Sequence, residues 1–234
     1  MGLFEMLVTC GSVKFRRSTR PVNAVGKCML ICFWDGGDPA FCIAIYSRWR
    51  LQDGTFDVSL LAAKAKVSPM LGTSTPRVEL EAATLVTRVA LRVVHALVED
   101  PPGQVVFVGD SQTILASREM DKGFFGEFFG NRIGEQYDNV ERMELLVTFD
   151  SPVVWCYVPT ELNAADKGTR TLSVPEDFGQ GSVWLGPAFL RGPEEDWPII
   201  RDFADKKSKV PLPMEEFRRP YREQLLGECR IYVY

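Results

Sequence analysis

Four carboxylates, Asp35, Glu79, Asp110 and Asp166, stand where apolar or amphipathic segments begin or end. Asp35 closes an apolar, β-prone run over residues 27–33, and Asp110 closes a second run over residues 105–108. Glu79 starts a long amphipathic segment, and Asp166 lies one turn into a short helix opened by Asn163. If the two runs are neighbouring parallel strands, Asp35 and Asp110 reach the same end of one sheet, where α/β folds commonly place their sites. Helices carrying Glu79 and Asp166 could then close the group from the side. Two like charges at ~4 Å repel by on the order of 4 kcal/mol at an effective dielectric of 20, so something positive must hold such a group together. Hard oxygen donors without histidine or thiolate favour Mg²⁺ or Mn²⁺. Two such ions about 3.5–4 Å apart would generate a nucleophile on one side of a phosphodiester and stabilise the leaving oxygen on the other. The chemistry implied is nucleic-acid hydrolysis.

Each acid also has a simpler role. Asp35 in Asp35-Gly36-Gly37 suits a hairpin turn. Glu79 would favour a helix N-terminus through the dipole, and Asp110 could cap the helix beginning near Ser111. Asp166, three residues after Asn163, could be half of a capping arrangement. Joint placement, not any one residue, supports the catalytic reading.

The elements that must position these acids follow from hydrophobic periodicity. The run 27–33 and the run 41–46, separated by Asp35-Gly-Gly-Asp-Pro39, predict a β-hairpin, and a third strand over 56–63 after Gln52-Asp-Gly-Thr55 extends it to an antiparallel meander. After Pro76, Leu80, Ala83, Thr84, Thr87, Ala90, Leu91, Val94 and Leu97 fall at helical spacing, and the cluster Glu99-Asp-Pro-Pro-Gly103 ends that helix. A buried strand over 105–108 leads into Gly109-Asp110-Ser111, helices follow through Arg118 and over 124–136, and 153–158 is the last strand. The order is three strands, helix, strand, helices, strand, helix: an α/β fold. Residues 1–24, with Arg16, Arg17 and Arg20, read as the end of a preceding module. Residues 25–172 form the domain, and 173–234 an irregular C-terminal wrap and linker.

Composition narrows the partners. The chain has 234 residues, 46% hydrophobic and 25% charged, with a formal net charge of −4, which argues against a uniformly positive nucleic-acid-binding surface; any such contact needs a local patch. Six cysteines without a Cys-x-x-Cys pair and a single histidine, His95, cannot supply the usual zinc sets, and reduced thiols are expected. No apolar run approaches the roughly 20 residues that span a bilayer, so no membrane partner is expected.

Several separated motifs occur in order: Arg20-Pro-Val-Asn-Ala-Val-Gly26, Phe33-Trp-Asp-Gly-Gly37, Pro76-Arg-Val-Glu-Leu80, Gly109-Asp-Ser111, Asn131-Arg-Ile133, Asn163-Ala-Ala-Asp-Lys-Gly-Thr-Arg170, Trp184-Leu-Gly-Pro187 and Trp197-Pro198. With them the chain resembles the ribonuclease H domain of BEL/Pao-type retrotransposon polyproteins from about residue 15 to residue 199. The resemblance implies a ribonuclease H-like fold, a five-stranded mixed sheet flanked by helices. It also implies cleavage of the RNA strand of an RNA–DNA hybrid with two Mg²⁺ or Mn²⁺ ions on Asp35, Glu79, Asp110 and Asp166. The implied partners are the hybrid and the reverse transcriptase domain of the same polyprotein, in a cytoplasmic virus-like particle or the nucleus. There are departures: Gly37 stands where the family usually has Ser, Ala164 where it often has Pro, and no histidine precedes Asp166.

Among the remaining residues, Arg77, Arg132, Lys64 and Lys66 are candidates for phosphate contacts, with Ser111 and Asn163 as polar contacts to nucleic acid. Glu81 competes with Glu79, but two residues along a helix point to different faces. His95 and the set Phe124, Phe125, Phe128 and Phe129 read as helix packing. Two rival functions follow. An aspartic peptidase would need Asp-Thr-Gly or Asp-Ser-Gly in a small β-rich dimer, which neither Asp110-Ser111-Gln112 nor Asp35-Gly36-Gly37 provides. A ribonuclease H-like module that binds without cutting would keep the fold and not the chemistry.

Overall fold

A computed structural model describes residues 19–68, 73–170, 182–200 and 212–222. Strands β1 (Ala24–Gly36), β2 (Ala40–Leu51) and β3 (Phe56–Val67) form the antiparallel meander. Gly54, at a φ of +84°, and Asp53, whose Oδ1 accepts from the Thr55 amide at 2.9 Å, make the β2–β3 turn. Helix α1 (Thr75–Ala96) begins with Pro76, whose missing N–H costs nothing in the first turn. Strand β4 (Gln104–Gly109), helix α2 (Gln112–Arg118), helix α3 (Glu127–Leu146) and strand β5 (Val154–Tyr157) complete the core. The sheet order is β3-β2-β1-β4-β5, with β4 parallel to β1 and β5 parallel to β4.

The central strand is buried on both faces, which explains its nearly unbroken apolar run. On one face Cys28, Leu30, Cys32 and Trp34 meet α1, α2 and α3; on the other, Ile31 and Phe33 meet Val158, Leu190 and Trp197. The second face is covered by irregular chain from 182–200. It is anchored by Arg48, whose guanidinium donates to the carbonyls of Leu190 and Gly192, each at 2.8 Å, and to Glu194 at 3.1 Å. The segment 212–222 returns to the helical face, where Phe217 packs on Phe125 at a ring separation of 4.6 Å.

Three expectations are corrected. Helix α3 runs ten residues past the expected end at 136 to Leu146. Its buried stripe includes Gln136 and Asn139, which donate to the hydroxyls of Thr84 and Thr87 at 3.0 Å each. Polar groups in a helix–helix seam erase the apolar periodicity. Asp166 lies not in an α-helix but at the head of a 3₁₀ turn, Asp166–Gly168. Glu79 sits in the second turn of α1, which starts at Thr75.

The described part of the N-terminal stretch, residues 19–24, ties Arg20 to Asp100 at 2.9 Å; Arg16 and Arg17 lie outside the described residues. Cys28, Cys32, Cys42 and Cys156 are buried, and burial pushes the Cys28 thiol up to about 12. Among the described residues no helix is long and apolar enough to cross a membrane.

Candidate active site

The parallel register pairs Trp34 of β1 with Gly109 of β4. Asp35 and Asp110 each follow that pair by one residue, so they emerge side by side at the same end of the sheet. Their neighbourhood is built by close backbone approach. A Cβ on Gly36 would stand 2.5 Å from Cα of Glu79 and 2.7 Å from the Val78 carbonyl, and one on Gly109 would overlap the Trp34 ring at 2.2 Å. The first glycine of Asp35-Gly36-Gly37 is therefore what brings α1, and Glu79 with it, against the end of β1. The second glycine is not crowded, since a Cβ on Gly37 would meet nothing nearer than 3.8 Å.

Each carboxylate has its own polar neighbour. Ser111 Oγ donates to Glu79 Oε2 at 2.7 Å, Thr169 Oγ1 donates to Asp35 Oδ2 at 2.6 Å, and Asn163 Nδ2 donates to Asp110 Oδ1 at 3.1 Å. Asn163 also donates to the main-chain oxygen of Trp34 at 3.0 Å and accepts from the Ala165 amide at 3.1 Å. It thus ties the Asp166 turn to both β1 and the residue after β4. Asp166 pairs with the exposed Arg170 at 2.7 Å.

Burial is the main force on the two inner acids. It lifts the Asp35 carboxyl to about 6 and the Glu79 carboxyl to about 7, with the Thr169 and Ser111 hydroxyls working in the opposite direction. Repulsion adds to the rise. Asp35 is raised by Asp110 and Asp166, and Glu79 by Asp110 and Asp35. Asp110 thus acts on both Glu79 and Asp35, and Asp166 on Asp35. The four do not form a ready-made cage: among the described residues no three His, Cys, Asp or Glu side chains are grouped to hold a metal. The geometry supplies a reason. Glu79 approaches from the helical face, whereas Asp35 shares the side of β1 that carries Ile31 and Phe33. As a donor set, four carboxylates with no thiolate or imidazole still suit a hard divalent cation.

The other singled-out residues divide. Ser111 and Asn163 sit inside the acid group. Ser111, not Asp110, caps α2, accepting from the Ile114 amide at 3.3 Å. Arg77 and Arg132 flank the Phe128 ring, at 5.0 and 5.1 Å, and bind Glu216 and Glu81 respectively, both at 2.6 Å. Glu81 is thus committed to Arg132, away from the acid group. Lys64 and Lys66 are exposed on β3, where they pair with Ile43 and Phe41 of β2. Phe125 and Phe129 are fully buried, as helix packing requires. Thr169 and Arg170 were not singled out from sequence, although both lie in the motif that contains Asp166; only the fold reveals that Thr169 reaches Asp35.

The chain is similar to a family model described as the Pao retrotransposon-like RNaseH-like domain, matched over residues 4–111. No curated protein matches it. Among solved structures, it is similar to the N-terminal RNase H domain of a Mycobacterium tuberculosis protein solved as a maltose-binding-protein fusion (10% identity, 60% of this chain and 95% of that one, TM-score 0.40). Two others are RNase H1 from the halophilic archaeon Halobacterium salinarum (13%, 62% and 94%, 0.34) and an RNase H1 isolated from compost by a metagenomic approach (15%, 61% and 92%, 0.36). The observed sheet itself, an antiparallel meander joined through its first strand to two further parallel strands with helices alongside, makes this chain a ribonuclease H-like α/β domain.

Proposed function

We propose that the protein is a divalent-metal-dependent endonuclease that cuts the RNA strand of RNA–DNA hybrids during retrotransposon reverse transcription. The single observation that carries this reading is geometric: Asp35 and Asp110 follow the paired Trp34 and Gly109, Gly36 admits Glu79 to the same strand end, and Asn163 ties the Asp166 turn to it. Bound among them, two Mg²⁺ or Mn²⁺ ions would activate a water and stabilise the departing oxygen of the phosphodiester. The chain's own part is orientation: Ser111 aims Glu79, Thr169 aims Asp35 and Asn163 aims Asp110. Arg77 and Arg132, beside α1, are the proposed phosphate contacts, and the hybrid would have to share them with Glu216 and Glu81. The reverse transcriptase of the same polyprotein is the proposed partner, in a cytoplasmic particle or the nucleus.

A second reading, a module that binds hybrid without cutting it, is favoured by one observation: the acids are not already grouped as a metal cage among the described residues. An aspartic peptidase is not favoured, because the described residues form a mixed sheet with long helices and not a small β-rich unit. The two remaining readings separate on a labelled RNA–DNA hybrid incubated with Mg²⁺, with EDTA, and with an Asp110→Asn variant. Mg²⁺-dependent cutting of the RNA strand that the variant loses supports the nuclease. Binding without cutting in Mg²⁺ or Mn²⁺ supports the module.

A further inference from the structure

The seam between α1 and α3 changes character along its length. Glu81 meets Arg132, Thr84 meets Gln136, Thr87 meets Asn139 and Arg88 meets Glu135. The first three pairs ascend together, so the helices run parallel and their C-terminal ends lie at one end of the domain. There the polar pairs stop, and the seam opens into a groove of about 480 Å³ lined by Leu91, Arg92, His95, Arg142, Leu145 and Leu146. Leu145 is 80% exposed and Leu146 40%, an unusual exposure for adjacent leucines at the end of a packed helix. The cations beside them are equally unusual for these helices. Arg77, Arg88 and Arg132 each bind a glutamate directly, whereas among the described residues Arg92 and Arg142 form no ion pair within 4 Å, and Arg142 acts on Glu135 only from a distance.

We propose that this groove docks an acidic amphipathic helix of a partner protein. Its apolar side chains lie on Leu91, Leu145 and Leu146, and its carboxylates face Arg92, His95 and Arg142. A seam between two helices receives the face of a third through anchors at i, i+3 and i+4. Charge decides among occupants. A second copy joined by a two-fold axis would place this cationic rim against itself. A nucleic-acid strand would find leucines where it needs aromatic rings for its bases. The groove lies about 18–24 Å along α1 from Glu79, so a docked helix leaves the carboxylate end open. The proposal therefore does not depend on the nuclease reading.

The test uses the full chain and a fluorescent synthetic helix of glutamates and leucines in which leucines recur at i, i+3 and i+4. Comparison probes are a scrambled peptide of the same composition and a single-stranded oligonucleotide. Anisotropy should show saturable binding of the patterned peptide at least about tenfold tighter than of the scrambled one. Leu145→Asp and, separately, Arg142→Glu should each weaken it about tenfold, the loss expected for one anchor. Leu145→Ser, at an exposed site and checked by circular dichroism, guards against a folding artefact and should weaken binding in the same direction. An Arg92→Glu/Arg142→Glu double variant should instead prefer a lysine–leucine helix. Equal binding of scrambled and patterned peptides overturns the proposal, as does no binding of either. So does oligonucleotide binding that Arg142→Glu removes, or a concentration-dependent dimer in sedimentation that Leu145→Asp abolishes.

Discussion

Ser111 Oγ donates to Glu79 Oε2 at 2.7 Å while the same oxygen accepts from the Ile114 amide at 3.3 Å, so one hydroxyl both starts α2 and orients an acid on α1. The two roles separate by substitution. Ser111→Ala should lower stability by about 1 kcal/mol, the usual cost of a lost N-cap, in urea unfolding. Ser111→Asp keeps a cap acceptor but sets a carboxylate against Glu79. It should recover less stability at pH 8 than at pH 5, and equal recovery at both would refute the dual role.

Stability in the absence of divalent ions should fall as pH rises. Glu79 moves from an ordinary 4.5 to about 7 on folding, and Asp35 from 3.8 to about 6. The native state therefore binds more protons than the unfolded chain between about pH 4 and 7. Its stability is greatest at the acid end of that window and declines through it, being lost once pH passes the raised values. For Glu79 the decline is on the order of 2 kcal/mol after allowing for its partial exposure. Urea midpoints measured in EDTA from pH 5 to 8 should show the slope, and Glu79→Gln should flatten it. Added Mg²⁺ should restore stability at pH 8 in the wild type and not in the variant.

The paired glycines after Asp35 should respond very differently to one methyl group. Gly36→Ala forces backbone against backbone, at 2.5 Å from the Glu79 Cα, and should cost about 2–3 kcal/mol as overpacking without a flexible neighbour. At Gly37 an added Cβ meets no atom closer than 3.8 Å, so Gly37→Ala and Gly37→Ser should unfold within about 0.5 kcal/mol of the wild type. Thermal melts of the three variants suffice. Equal losses at both positions would mean that Gly36 does not set the approach of α1.

Arg118 is buried, and among the described residues no carboxylate lies within hydrogen-bond reach of it. Its guanidinium lies 3.6 Å from the Trp155 ring centre and donates to Gln136 Oε1 at 2.6 Å, and burial lowers its pKa to about 10. Arg118→Ala leaves a cavity and an unpaired Gln136 carbonyl, and should cost about 3 kcal/mol. Arg118→Met fills much of the space and removes a buried charge, so it should cost clearly less, about 1 kcal/mol. Denaturant unfolding that ranks the two variants the other way would show that the charge itself stabilises this core.

Much of the framework was readable before any coordinates, because the signals are local. Period-two and period-3.6 patterns located five strands and the long helix, and the strand-end positions of Asp35 and Asp110 drew attention to that pair. The hidden parts share one cause. The second half of α3 was lost because Gln136 and Asn139 replace apolar residues in its buried stripe, and their hydroxyl partners Thr84 and Thr87 lie on another helix. The turn at Asp166 resembled a helix because Asn163 bends the chain through its own side chain.

The sequence by itself determined the order of elements and put candidate acids, oxygen donors all, at the ends of those elements. Only the tertiary structure decided that β1 and β4 are parallel neighbours, that Gly36 admits α1 to the strand end, and that Ser111, Thr169 and Asn163 hold the acids. It also decided that Arg77 and Arg132 are bound to glutamates and that, among the described residues, Arg92 and Arg142 form no such pair. Secondary structure answers to neighbours a few residues away, whereas strand adjacency, burial and charge pairing are set by residues tens of positions apart, meeting only when the chain is packed.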